Sequence, residues 1–87
     1  MSKMIMNHKT DDFNKWKSAF DSMEPVRKQY GSSGATIFRG HADPNDLVII
    51  THWGSSEQAR KYSQSPELKA AMQKGGVVGG SSVYYVE

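Results

Sequence analysis

Residues 47–53, Leu-Val-Ile-Ile-Thr-His-Trp, carry apolar side chains on both alternating sets, with Leu47, Ile49 and Trp53 on one and Val48 and Ile50 on the other. Successive side chains of a strand point to opposite faces, so this segment predicts a sheet that needs cover on both sides. A solvated second face would give clean alternation of apolar and polar residues instead. Whatever the rest of the chain builds must supply one cover, and something must supply the other.

The elements around that strand follow from local chemistry. Met4, Ile5 and Met6 lie in a short run ending at Asn7-His8-Lys9, which suits a first strand. Thr10-Asp11-Asp12 offers capping oxygens and negative charge for a helix N-terminus. Behind it Phe13, Trp16, Phe20, Met23, Arg27 and Tyr30 recur at three- and four-residue spacings and form one stripe of a helix. Pro25 removes a helical hydrogen bond, so the helix should kink or restart near Glu24 and end at Gly31. Ser32-Ser33-Gly34 reads as a loop, Ala35 to His41 as strand two, and Asp43-Pro44-Asn45-Asp46 as a turn that pairs it with strand three. Ser55-x-x-Gln58 is a capping-box pattern, and Ser65-Pro66-Glu67 restarts the second helix with Leu68, Ala71 and Met72 on it. Gly75-Gly76 stops that helix, Val77 to Gly80 reads as a flexible connector, and Ser81 to Glu87 as strand four.

The order β, α, β, β, α, β predicts an α+β, ferredoxin-like fold over residues 1–87 as one domain, with an antiparallel four-stranded sheet ordered 4-1-3-2. Two helices cover one face. The economical cover for the other is a second copy, two sheets facing each other to close a barrel. A chain of 87 residues hides only about 60 to 65% of its unfolded surface, which adds to the expectation of a homodimer. The net charge of +2 is too even for a nucleic-acid wrapper, and residues 35–42 lack the basic and aromatic pattern that stacks bases. No cysteine is present, and the longest apolar run, Leu47 to Ile50, is far too short to span a bilayer, so a cytoplasmic protein that binds neither nucleic acid nor membrane is expected.

The residues Asp12-Phe13-x-x-Trp16-Lys17-x-x-Phe20-Asp21, Arg27, Phe38-Arg39, Asp43-Pro44-Asn45, Trp53, Ser65-Pro66-Glu67-Leu68-Lys69-x-Ala71-Met72 and Gly76-Val77-Val78-Gly79 run through nearly the whole chain. Together they resemble the small bacterial members of the dimeric α+β barrel superfamily, which includes antibiotic biosynthesis monooxygenases, polyketide cyclases, muconolactone isomerases and haem-degrading monooxygenases. The resemblance implies a homodimer with a cavity between each sheet and its own helices. In the haem-degrading branch an Asn, a Trp and a His ligand form the site; aligned here, Asn7 matches, but Tyr62 and Met72 stand at the other two positions. Without the imidazole the axial haem ligand is missing. No cofactor is therefore expected, and no carboxylate or histidine cluster has metal-ligand spacing.

The expected function is a cofactor-independent monooxygenase, cyclase or isomerase acting on a small hydrophobic, aromatic or polyketide-like ligand. His52 or His8 would remove a proton from an acidic carbon, since histidine alone titrates near neutrality without perturbation. Arg27, Asn7 or Tyr30 would steady the enolate oxygen, with Trp16, Phe20, Met23, Tyr30, Tyr62 and Met72 lining the pocket. His52 falls on the strand face opposite Trp53, and because Asn7 alternates with His8 only one of those two lines a given cavity. The alternative is a non-catalytic homodimer that binds a metabolite or a partner.

Overall fold

The two-sided strand sits at the interior of the sheet. The structure, a computed structural model, describes residues 1–87 and orders its elements as β1 (Ser2–Thr10), α1 (Phe13–Ser22), α2 (Glu24–Tyr30), β2 (Ser32–Arg39), β3 (Asp46–Trp53), α3 (Ser56–Ser63), α4 (Pro66–Lys74) and β4 (Val77–Val86). The sheet runs β2-β3-β1-β4, the expected order seen from its other edge, and every pairing is antiparallel. Both central strands therefore have hydrogen-bonded neighbours on either side, and β2 and β4 are the edges.

Each helix begins and ends where its chemistry requires. The Asp12 carboxylate accepts from the Lys15 amide at 3.2 Å and opens α1. Pro25 sits in the first turn of α2, where its missing N–H leaves no bond unmade, so the apolar stripe runs through two short helices joined at Met23. Gly31 closes α2 at a φ of 110°, left-handed backbone in which a Cβ is unfavourable. Ser55 and Gln58 form the reciprocal capping box of α3, and the Ser65 hydroxyl caps α4 ahead of Pro66. No helix is long and apolar enough to cross a membrane.

The helices pack on one face only. Ser2, Met4, Met6, His8 and Thr10 of β1 and Leu47, Ile49, Thr51 and Trp53 of β3 are buried beneath them. Trp53 is fully buried, its indole N–H donating to the Thr51 hydroxyl at 2.7 Å, and it packs with Met4, Met6, Met23, Tyr62 and Leu68 in the main core. A second cluster gathers Trp16, Leu47 and Ile49 under Phe13 and Phe20. The alternate residues, among them Ile5, Asn7, Val48, Ile50 and His52, face the opposite, open side.

Two strands start earlier than their composition suggests. Ser32-Ser33-Gly34, read as a loop, belongs to β2, because Ser32 and Gly34 pair with Trp53 and His52 across a register shift. That strand ends at Arg39, which leaves His41 in the following turn. Val77 to Gly80, read as a connector, is the first part of β4: Val77 and Val78 pair with Thr10 and Lys9, and then the register shifts before Ser82 meets Asn7. Gly79, at a φ of 72°, lies inside that shift and permits the bulge. Serine and glycine weaken strand propensity, but a neighbouring strand with free hydrogen-bonding groups overrides it.

Candidate functional site

A cavity of about 40 Å³ lies between the helix-covered face and the helices, walled by Met4, Met6, Met23, Met72, Trp16 and Phe20 among other apolar groups. At about 10–15 Å³ per water position it is small. Four of the chain's five methionines line it, and their unbranched thioethers adapt to a guest more readily than branched side chains do. The polar exceptions in its wall are His8, Arg27, Thr51 and Tyr62.

His8 comes to the cavity from β1, 5% exposed. Burial pushes its imidazole below the ordinary value of 6.5, so the ring is neutral near pH 7. The Trp16 indole N–H donates to its Nε2 at 2.9 Å, with the rings edge to face. An acceptor at Nε2 leaves the ring proton on Nδ1, which faces the Ser81 hydroxyl at 3.4 Å. The bulge in β4 holds this contact, since Ser81 lies within the register shift between Val78 and Ser82.

Trp16 is the centre of a stack that fixes the other side of the cavity. Its ring lies against Phe20, with centroids 5.0 Å apart, and the Arg27 guanidinium covers Phe20 at 3.8 Å. Arg27 also donates from Nη1 to the Phe20 carbonyl at 2.9 Å. The helix stripe thus turns an arginine inward, as its spacing predicts, and holds it by aromatic and carbonyl contacts. Phe20 and Arg27 separate the cavity from an outer groove beside β2, and Met72 separates it from another groove between α4 and β4.

Tyr62 reaches the cavity from α3 with 3% of its surface exposed. Its ring is clamped between Trp53 and Tyr30, at centroid distances of 5.2 and 5.7 Å. Burial pushes its phenol up, opposed by the nearby charge of Arg27.

Of the residues read from sequence, the cavity brings together His8, Trp16, Phe20, Met23, Arg27, Tyr62 and Met72. Tyr30 packs behind Tyr62 and sends its hydroxyl toward Glu67 at 3.5 Å, outside the cavity wall. Asn7 and His52 are on the open face. The Asn7 amide donates to the Asp46 carboxylate at 2.9 Å and to the Leu47 carbonyl at 2.8 Å, while His52 sits opposite Lys3. Strand alternation is the physical reason: His8 faces the helices, so Asn7 cannot, and Trp53 faces them, so His52 cannot. The cavity residues missed from the sequence are Met4, Met6, Ile49, Thr51, Leu68 and Ala71. For Met4, Met6, Ile49 and Thr51 the available signal was their shared alternation with Trp53 and His8 across the β1–β3 pair.

The profile of the family described as antibiotic biosynthesis monooxygenase matches residues 4–74. Among solved structures, a Bordetella bronchiseptica protein provisionally described by that same name superposes with a TM-score of 0.83 at 11% identity, over 99% of this chain and 94% of that one. SnoaB, described as a cofactor-independent oxygenase from Streptomyces nogalater, superposes with a TM-score of 0.73 at 13% identity, over 95% of this chain and 89% of that one. A conserved protein of Methanosarcina mazei Go1 gives 0.75 at 10% identity, over 99% and 90%. At these identities the likeness shows the fold. No curated protein matches the chain in sequence.

Proposed function

The chain belongs to the antibiotic biosynthesis monooxygenase family, and from that membership we propose that it is a cofactor-independent oxygenase, cyclase or isomerase. Its substrate is a small apolar molecule, aromatic or polyketide-like, held between sheet and helices. The observation that carries this reading is an apolar cavity with a neutral histidine in its wall. A general base must rest unprotonated, and the burial of His8 keeps it so. Its Nε2 lone pair is held by the Trp16 indole. A substrate with an acidic C–H reaches that nitrogen by exchanging with the indole N–H. The proton then passes to Nε2, leaving an imidazolium beside a delocalised enolate. That carbanion meets dioxygen, an internal electrophile or a returning proton according to the substrate. The description of SnoaB as a cofactor-independent oxygenase on the same fold supports the first of these outcomes.

Proton removal is measurable without knowing the later step. A panel of small aryl ketones and 1,3-diketones in deuterated buffer should exchange the acidic C–H faster with the protein than without it. His8→Gln, whose amide can still accept from Trp16, should abolish the acceleration. Exchange that persists undiminished in that variant would remove His8 from the scheme. A metabolite-binding role without catalysis is the second reading, favoured by the fact that both His8 ring nitrogens face protein partners. Ligands of the panel that bind without exchanging would establish it.

We further infer that a second copy of the chain covers the open face. Phe38, Val78, Tyr84 and Val86 are the exposed large apolar residues apart from Met1, and their pairing register puts all four on that one face. Exposed apolar side chains gathered on one sheet face mark an interaction site. Asn7 and His52 belong to this interface in the dimer, away from the cavity.

A further inference from the structure

Arg27 carries a charge that the chain itself does not neutralise. It is 5% exposed, and none of the ion pairs of the protein includes it. The nearby carboxylates are already engaged: Asp21 with Lys17 at 2.7 Å and Glu24 with Lys28 at 3.4 Å. Removing a cation from water without an opposite charge is expensive. The Phe20 ring and the Phe20 carbonyl offset part of that cost, but neither is an anion. A buried, cavity-lining guanidinium without a carboxylate is therefore a position prepared for a negative group that arrives from outside.

Tyr62 supplies the second half of the position. It lines the same cavity, and Arg27 is the charge that bears on its hydroxyl. Its ring cannot swing away, because Trp53 and Tyr30 hold it from two sides. A phenol kept protonated by burial donates a hydrogen bond and withholds a competing charge. The only other titratable group in the wall is His8, which burial keeps neutral.

We propose that Arg27 and Tyr62 together bind the ligand as an oxyanion, a phenolate on a single ring, whose oxygen supplies the counter-charge that Arg27 lacks. This rests on the reading of the cavity as the ligand site and specifies which ionisation state it selects. The guanidinium gives charge and the phenol gives a directed hydrogen bond. The apolar remainder of the wall takes the ring.

The pair of probes that tests this is 4-nitrophenolate and nitrobenzene, close in shape and different in charge. The wild-type protein should bind 4-nitrophenolate at least about tenfold more tightly than nitrobenzene, the scale of a charge-assisted hydrogen bond. Tyr62→Phe preserves the ring packing and should weaken phenolate binding by about tenfold while leaving nitrobenzene unchanged. Arg27→Met should erase the preference, and if that variant does not fold, the Tyr62→Phe comparison stands by itself. Equal binding of the two probes by the wild-type protein, or a Tyr62→Phe variant that keeps the full preference, overturns the oxyanion site and leaves the cavity reading intact. Binding of neither probe overturns the cavity reading and the oxyanion site with it.

Discussion

The two faces of one sheet are built from the same strands and have opposite fates. Under the helices, Met4, Met6, Leu47, Ile49 and Trp53 are almost wholly removed from water. On the far side Phe38 and Tyr84 remain 52 and 61% exposed. The covered face mixes flexible thioethers with an indole and a neutral imidazole, and it leaves a gap. The open face carries Val48, Ile50, Phe38, Tyr84 and Val86, mostly β-branched or aromatic. The first holds the core and the cavity, and in our proposal the second is a surface for association.

The sharpest way to break this comparison is to empty the covered face. Trp53→Ala should cost about 3–5 kcal/mol in chemical denaturation, because a large fully buried indole leaves both a cavity and a deserted Thr51 hydroxyl. On the open face the response should differ in kind. Phe38→Asp or Tyr84→Asp should weaken self-association by about 2 kcal/mol, roughly thirtyfold, and sedimentation at a concentration where the wild-type protein is dimeric should show a halved mass. A wild-type protein that sediments as a single chain at high concentration would instead make the open face something other than a contact between copies.

The smallest effect is electrostatic and belongs to His8. Its folded form holds a proton less readily than the unfolded chain, whose ordinary value is 6.5. Above that value both states are neutral and stability does not depend on this group. As the pH falls below it, the unfolded chain binds the proton first, so stability declines until the folded His8 also protonates. Thermal melts between neutral and mildly acidic buffer should show that decline in the wild-type protein, reduced in His8→Gln. An identical slope in both would assign the decline to other groups.

Much of this organisation is written in local patterns. The Asp12 and Ser55 caps, the Asp43-Pro44 turn and the restart at Pro25 all specify one backbone each, and together they leave one strand order. The helix stripe likewise places Trp16, Phe20, Met23 and Arg27 in the cavity wall, because a 3.6-residue period has one apolar side. The strands are less informative for the reason that makes the sheet two-sided. Met4, Ile5 and Met6 are all apolar, so nothing in that run says whether Asn7 or His8 turns inward. Only the long-range pairing of β1 with β3, with His8 opposite Leu47 and Lys3 opposite His52, decides it. The first residues of β2 and β4 were hidden in the same way, since their strand state comes from a neighbour and not from Ser or Gly.

The methionines that wall the cavity have a consequence for selectivity. A mould made of branched, rotamer-poor side chains recognises an outline. One made of Met4, Met6, Met23 and Met72 has little outline of its own and takes the impression of whatever enters. Such a wall discriminates poorly between molecules of similar bulk, so related ring systems become near-equivalent guests. What it cannot remould are the clamped phenol and the stacked guanidinium. With the proposed oxyanion site, discrimination would rest on where a guest carries its oxygen, and a family of molecules sharing that one atom would match this protein better than a single compound.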